Sequence, residues 1–147
     1  MIFIKEYASQ IDRIDDDKVK EILSQVDYEK EISGRIEHEQ DRVVNRYLER
    51  KHNWVGEINY FGTSSDVDQF NIYEMNDGTY LLLVRFYTIL TVDAEVEVDE
   101  YDFDDYDRVR NITKYKTLDI EFTVTYKFWL NEAFDITSHD IEEIDLA

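Results

Sequence analysis

The run YLLLVRFYTILTVDAEVEVD, which extends from Tyr80 to Asp99, decides the fold. Its even-numbered positions are apolar almost throughout, whereas its odd-numbered positions change from apolar residues near the start to acidic residues near the end. A hydrophobic period of two is typical of a β-strand, because successive side chains point to opposite faces of a sheet. We therefore predict one long strand that is buried on both faces in its first half and on one face in its second half.

A second run later in the chain has the same parity. Its apolar residues at even positions are Ile112, Leu118, Ile120, Phe122, Val124, Tyr126, Phe128 and Leu130. The two runs, joined by an acidic linker over residues 100–111, predict a long antiparallel ribbon. Because both runs exceed the usual strand length, we also expect a bend or a bulge within them.

Shorter β signals precede the first long run. Residues 57–61 and 70–75 are each predicted to form a short strand. Asn76, Asp77 and Gly78 follow the second of these, and residues of these types tolerate positive φ. This triplet therefore predicts a hairpin between residues 70–75 and the long strand that begins at Tyr80.

Residues 1–53 have a helical period instead. The aspartates at 15–17 provide an N-cap, and apolar residues then recur at spacings of three and four up to Val26, which predicts a first helix. A second helix is predicted from about Glu29 to Lys51, weakened near its start by Gly34. At the other end of the chain, residues 138–146 are predicted to form a short helix capped by Ser138 or Thr137.

These elements together predict an α+β fold. A hairpin of two N-terminal helices would pack on an antiparallel sheet that contains two long strands, and a short helix would end the chain. We expect a single domain over residues 1–147, with a helical part at 1–53 and an antiparallel β part at 54–147, since this length suits one hydrophobic core. The exposed edge of the long ribbon makes a homodimer possible.

The formal net charge of −19 is unevenly divided between the two parts. Residues 1–53 hold 10 basic and 13 acidic side chains, whereas residues 54–147 hold 6 basic and 22 acidic ones. Such charge repels nucleic acid and anionic membranes, so we expect neither as a direct partner, and we expect a basic protein surface instead. The chain has no cysteine and no apparent signal peptide, from which we predict a cytoplasmic location.

The motifs of catalysis and of tight metal binding are missing from the sequence. His38 and Glu39 begin a zinc-protease pattern, but position 42 is arginine instead of the second histidine. The acidic stretch from Asp93 to Asp107 has oxygen ligands suited to calcium or magnesium, yet it lacks the glycine of a calcium-binding loop. We therefore predict no enzyme activity, no catalytic residue, no cofactor and no metal site, with a divalent-cation-binding acidic domain as an alternative.

The acidic side chains that alternate along the two long runs, and the aromatic residues interleaved with acids between them, form the predicted partner-binding site. Aromatic residues on a projecting loop are suited to a protein interface. The predicted site residues are Asp93, Glu95, Glu97, Asp99, Glu100, Tyr101, Asp102, Phe103, Asp104, Asp105, Tyr106, Asp107, Asp119 and Glu121.

The predicted function is inhibition by an acidic face that mimics nucleic acid. Carboxylates at alternate strand positions lie about 6.5 to 7 Å apart, which is similar to the spacing of phosphates along one nucleic-acid strand. Such a face fits the basic groove of a nucleic-acid-binding or defence protein. In size and charge the chain resembles small acidic inhibitors of restriction and CRISPR nucleases.

A second resemblance lies in the last 60 or so residues. The alternating stretches TVDAEVEVDEY at 91–101 and TLDIEFTV at 117–124 resemble a β region that follows the nuclease domain of some bacterial PIN-like proteins. Residues 1–53 cannot supply the α/β sheet that carries the acidic catalytic cluster of a PIN domain. This resemblance therefore implies a regulatory or partner-binding module without nuclease activity, as an alternative to the inhibitor.

Overall fold

The computed structural model of the chain describes residues 7–11, 14–52, 54–102 and 105–147, with the side chains at 7–11, 55, 60–61, 98–102 and 105–111 left undescribed. Its elements, in chain order, are strand β1 (Tyr7–Ile11), helix α1 (Asp16–Leu23), helix α2 (Tyr28–His38), a π-helical turn (Asp41–Asn45), helix α3 (Arg46–His52), and strands β2 (Trp54–Met75), β3 (Tyr80–Asp102), β4 (Asp105–Leu130) and β5 (Ile136–Leu146). The strands form one antiparallel sheet in the order β1-β2-β3-β4-β5. The combination of helices with an antiparallel sheet is confirmed, but several predicted details are wrong.

The pairing of β3 with β4 follows the predicted parity. The register is continuous from the pair Tyr80–Leu130 to the pair Tyr101–Val109, so even-numbered residues always stand opposite even-numbered residues. The even positions of β3 from 80 to 96 and those of β4 from 120 to 130 are buried. The bulge that we expected within these strands is absent over this register, and the first shift comes between Tyr101 and Asp102.

The helices cover the face of the sheet to which these even-numbered residues point. Val19 and Ile22 of α1 and Ile32 of α2 belong to the same buried cluster as the core of β3 and β4. The ring of Tyr28 stacks on that of Phe86, with the ring centroids 4.8 Å apart. The Oδ1 atom of Asp15 caps α1 by accepting a hydrogen bond from the backbone N–H of Lys18 at 2.9 Å, as the sequence predicted. We call this the helix-covered face, and the opposite side the open face.

The second predicted helix, Glu29 to Lys51, is wrong as a single element. It is divided into α2, the π-helical turn and α3. In a continuous α-helix, Val44 and Leu48 would drift away from the face that carries Ile32 and Ile36. The wider π turn rotates the last part of the segment, and Val44 and Leu48 are both fully buried.

The predicted C-terminal helix is also wrong, because residues 136–146 form strand β5. Two register shifts in the β4–β5 ladder explain the error. The first lies between the pairs Thr125–Glu143 and Tyr126–Ile141 and leaves one extra residue in β5. The second lies between the pairs Trp129–Ser138 and Leu130–Ile136 and leaves another. Each bulge brings residues three apart onto the same face. Ile141 and Ile144 are both buried for this reason, and their spacing imitates that of a helix.

Strand β2 is one continuous element rather than the two short strands predicted. It has register shifts at 54/58, 60/62 and 67/69, which interrupt the alternation that a regular strand shows. The predicted hairpin after it is confirmed: Gly78 has a φ of 85°, and its N–H donates to the carbonyl oxygen of Met75 at 3.1 Å. The predicted linker at 100–111 is largely strand, since 100–102 belong to β3 and 105–111 to β4.

Strand β1 was not predicted. It pairs with the end of β2 through Tyr7–Met75 and Ile11–Ile72. Within the described residues, no helix is long and apolar enough to cross a membrane.

Candidate functional site

Five of the predicted site residues have described side chains, and the structure brings them together on the open face. Asp93, Glu95 and Glu97 occupy successive odd positions of β3, and Asp119 and Glu121 occupy odd positions of β4. Since Asp93 pairs with Thr117 in a continuous register, all five point to the same side of the sheet. Together with Glu57 of β2, whose position is described below, we call them the acidic face.

Between β3 and β4, the register keeps the carboxylates from standing directly opposite one another. Across β3 and β4, Asp93 faces Thr117, Glu95 faces Tyr115 and Glu97 faces Thr113. Asp119 and Glu121 likewise face Thr91 and Ile89. Like charges in directly opposed positions destabilise a sheet. The acids of β3 and β4 are therefore packed densely without directly opposed charges between these two strands.

Hydroxyl groups, rather than cations, hold several of the carboxylates. The Thr91 hydroxyl donates to Oδ1 of Asp119 at 2.7 Å, and the Tyr115 hydroxyl donates to Oε2 of Glu57 at 3.3 Å. Tyr87 forms a hydrogen bond with Glu121 as well. These bonds restrict the carboxylates while leaving their negative charge uncompensated.

The tyrosine pKa values report the negative field of the acidic face. The pKa of Tyr115 is raised above its ordinary value by desolvation against the sheet and then by the charges of Glu57, Glu95 and Asp93. The pKa of Tyr87 is also raised, chiefly by its hydrogen bond to Glu121. In both cases the neighbouring carboxylates favour the neutral phenol over the phenolate.

Glu57 was not predicted as a site residue. The register shift between Trp54 and Ile58 places it beside Glu95, where its backbone N–H donates to Oε2 of Glu95 at 3.4 Å. A Cβ atom at position 56 would clash with the Glu95 carboxylate, so Gly56 lets that side chain lie over the β2 backbone. In the sequence, the glycine at position 56 is the signal that could have indicated this contact between Glu57 and Glu95, and it can be interpreted only when the strand register is known.

The two described cations on the open face are already paired. The Nη2 atom of Arg85 lies 2.7 Å from Oδ2 of Asp68, and Nζ of Lys127 lies 3.0 Å from Oε1 of Glu142. Lys116, next to the acidic face in sequence, stands opposite Ala94 and so projects to the helix-covered face. Over the described residues, no lysine or arginine forms an ion pair with a carboxylate of the acidic face.

The remaining predicted site residues are at the end of the ribbon. The backbones of Asp99, Glu100, Tyr101 and Asp102 belong to β3, and those of Asp105, Tyr106 and Asp107 to β4, but their side chains lie outside the described residues. Phe103 and Asp104 lie outside them entirely. In the part of the chain that is described, no three histidine, aspartate or glutamate side chains converge to hold a metal ion.

Comparison of the chain with protein-family models, with curated proteins and with solved structures gives no match. The resemblances to PIN-associated β regions and to acidic nuclease inhibitors therefore stay predictions.

Proposed function

We propose that the chain is a non-catalytic binding module that presents the acidic face to a basic groove of a nucleic-acid-binding or defence protein, and thereby inhibits it. The observation that carries the proposal is the set of six carboxylates on one side of the sheet without a described cationic partner. A cationic protein can pair with these groups without first breaking an ion pair to any residue whose side chain is described. Acidity that served only solubility would be interspersed with lysine and arginine across the surface.

The geometry of the face supports mimicry of nucleic acid. Successive acids on β3 follow the strand rise, so their Cα atoms are about 6.6 Å apart. Nucleic acids attract basic proteins mainly through regularly spaced phosphates. A rigid row of carboxylates with similar spacing presents the same pattern to lysine and arginine side chains, and its field accelerates encounter at low salt.

Binding to purified restriction and CRISPR nucleases tests the proposal. Association is measured by biolayer interferometry, and inhibition by cleavage of a labelled duplex. We expect at least one nuclease to be bound and inhibited, with nucleic acid competing for the same groove. Binding should weaken by about tenfold or more between 0.05 M and 0.5 M NaCl, because counterions screen exposed charges.

Two triple variants separate the acidic face from net charge alone. The variant Asp93→Asn, Glu95→Gln, Glu97→Gln removes three charges from the face and should weaken binding by about tenfold or more. A control variant, Glu37→Gln, Glu49→Gln, Glu132→Gln, removes three exposed charges from α2, α3 and the turn before β5 and should bind like the parent. Equal losses in both variants would refute an acidic-face site.

Salt dependence also separates mimicry from the accessory-module alternative. If a partner binds equally well at about 0.5 M NaCl, screened charges do not hold the complex. Such a result would reject the mimic and favour an apolar, regulatory interface.

A further inference from the structure

A cleft on the helix-covered side of the molecule, remote in the sheet from the acidic face, has a volume of about 440 Å³. Helix α2 forms one wall, and Tyr126 of β4 with His139–Ile141 of β5 forms the other. Small-molecule sites in proteins have volumes of roughly 300–1,000 Å³. The cleft is therefore large enough for a small ligand.

Gly34 in the wall of this cleft has no structural explanation. Glycine inside a helix is less favourable than alanine, and position 34 lies in the middle of α2. Nothing lies within 4 Å of the place that a Cβ atom would occupy, so close packing does not require glycine there. Glycine at this position leaves open space in the cleft that a larger side chain would occupy.

A hydrogen-bonded pair, Tyr126 and His139, lies at the base of the cleft. The hydroxyl of Tyr126, which is 1% exposed, lies 2.6 Å from Nδ1 of His139. Burial first, and then the charges of Glu31 and Asp140, raise the pKa of Tyr126 to about 12, so the phenol keeps its proton. Which of the two atoms donates depends on the His139 tautomer, since a phenol hydroxyl can donate or accept. His139 is half-buried on β5.

Around this base the cleft has unpaired charges of both signs. Lys30 provides an ammonium group, and Glu31 and Asp140 provide carboxylates. None of the three forms an ion pair with another described residue, while the nearby Arg35 is occupied by Glu39 at 3.5 Å. A simple anion would meet two carboxylates as well as the strongly negative field of the chain, and a simple cation would meet Lys30. The charges of the cleft therefore match a ligand that has one positive and one negative group.

We propose that this cleft binds a small zwitterion with an ammonium and a carboxylate group, as in a free amino acid. The ligand carboxylate lies towards the ammonium group of Lys30, and the ligand ammonium lies towards Glu31 and Asp140. The site is independent of the acidic face, and neither proposal depends on the other.

The proposal is tested by titrating the ¹⁵N-labelled protein with each of the twenty L-amino acids and following amide shifts by NMR. Sodium acetate and methylammonium chloride at the same ionic strength serve as single-charge controls. We expect saturable shifts in α2 around position 34 and in β5 around His139 with at least one amino acid, and none with either control. Absence of saturable shifts with all twenty would overturn the proposal, as would equal binding of acetate or methylammonium.

The variants Gly34→Ala and Gly34→Leu make the test independent of folding. Both substitutions introduce better helix formers into open space, so both should raise the melting temperature. Gly34→Leu fills the cleft and should weaken binding of the best amino acid at least about tenfold, with a smaller loss for Gly34→Ala. A folded Gly34→Leu variant that binds like the parent would reject the cleft as the site.

Discussion

Neutralising one carboxylate of the acidic face should stabilise the protein, and Glu95 is the most informative position. It lies between Asp93 and Glu97 on the same side of β3, and it lacks a described cationic partner. Within the described residues, its Oε2 atom accepts one long hydrogen bond, from the backbone N–H of Glu57 with an N···O distance of 3.4 Å. The substitution Glu95→Gln retains an oxygen acceptor and nearly the same volume while removing the charge. The expected change in stability is therefore the relief of repulsion.

The magnitude follows from the strand geometry. Carboxylates at alternate positions about 6.6 Å apart repel each other by about 0.6 kcal/mol in water. Screening over a Debye length of about 30 Å at 0.01 M salt leaves about 0.5 kcal/mol, and over about 3 Å at 1 M it leaves less than about 0.1 kcal/mol. With two neighbours, Glu95→Gln should raise the free energy of unfolding by about 1 kcal/mol at 0.01 M salt and by about 0.1 kcal/mol at 1 M. Repulsion that persists in the unfolded chain lowers these values, whereas the carboxylate of Glu57 beside Glu95 adds to them.

Urea denaturation at 0.01, 0.15 and 1 M NaCl measures this difference, with Glu142→Gln as the matched control. Glu142 lies in the same sheet but is paired with Lys127 at 3.0 Å. Its neutralisation removes an attraction and should lower the free energy of unfolding by about 0.2–1 kcal/mol at low salt. The reasoning is refuted if Glu95→Gln destabilises the protein at 0.01 M, or if its effect does not change with salt.

Three further predictions concern the core and the turn. Thr88→Val should lower the free energy of unfolding by about 1–3 kcal/mol, because the buried Ser65 hydroxyl loses the Thr88 hydroxyl that lies 2.8 Å from it. In urea denaturation, the double variant Thr88→Val, Ser65→Ala should recover most of this loss. The fold raises the pKa of Tyr126 to about 12, so its contribution to stability is complete below the unfolded pKa of about 10 and is lost as pH rises towards 12. Between about pH 10 and 12 the melting temperature should therefore fall less in the variant Tyr126→Phe than in the parent. Gly78→Ala should lower stability by about 1–2 kcal/mol, because Gly78 has a φ of 85°, and an unchanged melting temperature would contradict this.

The central ribbon was predictable because its pattern is not interrupted. Tyr80 to Val96 and Ile120 to Leu130 alternate without a register shift, so parity alone assigns the buried side chains and the acidic ones to their faces. The same logic failed in β5, where bulges place Ile141 and Ile144 on one face at a helical spacing. It failed in β2 for the same reason. A bulge changes the relation between sequence position and face, and no residue type marks one reliably.

In the acidic face, too, the predictable residues lie on strands with continuous register and the others do not. Asp93, Glu95, Glu97, Asp119 and Glu121 were predicted because they lie on the regular ribbon, whereas Glu57 joins them through a register shift in β2. Their hydrogen bonds to hydroxyl groups were not predictable either, since Thr91–Asp119 and Tyr115–Glu57 are cross-strand or longer contacts that depend on register.

The distribution of charge relative to the fold gives the strongest argument that the acidic face has a function. Helix α3 carries Arg46, Arg50 and Lys51, and Lys116 of β4 projects to the same side of the sheet as this helix. These cations are close in sequence to residues of the acidic face but lie on the opposite side of the sheet. The acidic face receives threonine and tyrosine hydroxyls instead. A register that places these hydroxyls opposite the acids lowers repulsion without neutralising charge. Since pairing with lysine would remove the repulsion more completely, the arrangement favours a surface whose charge is kept for a cationic partner.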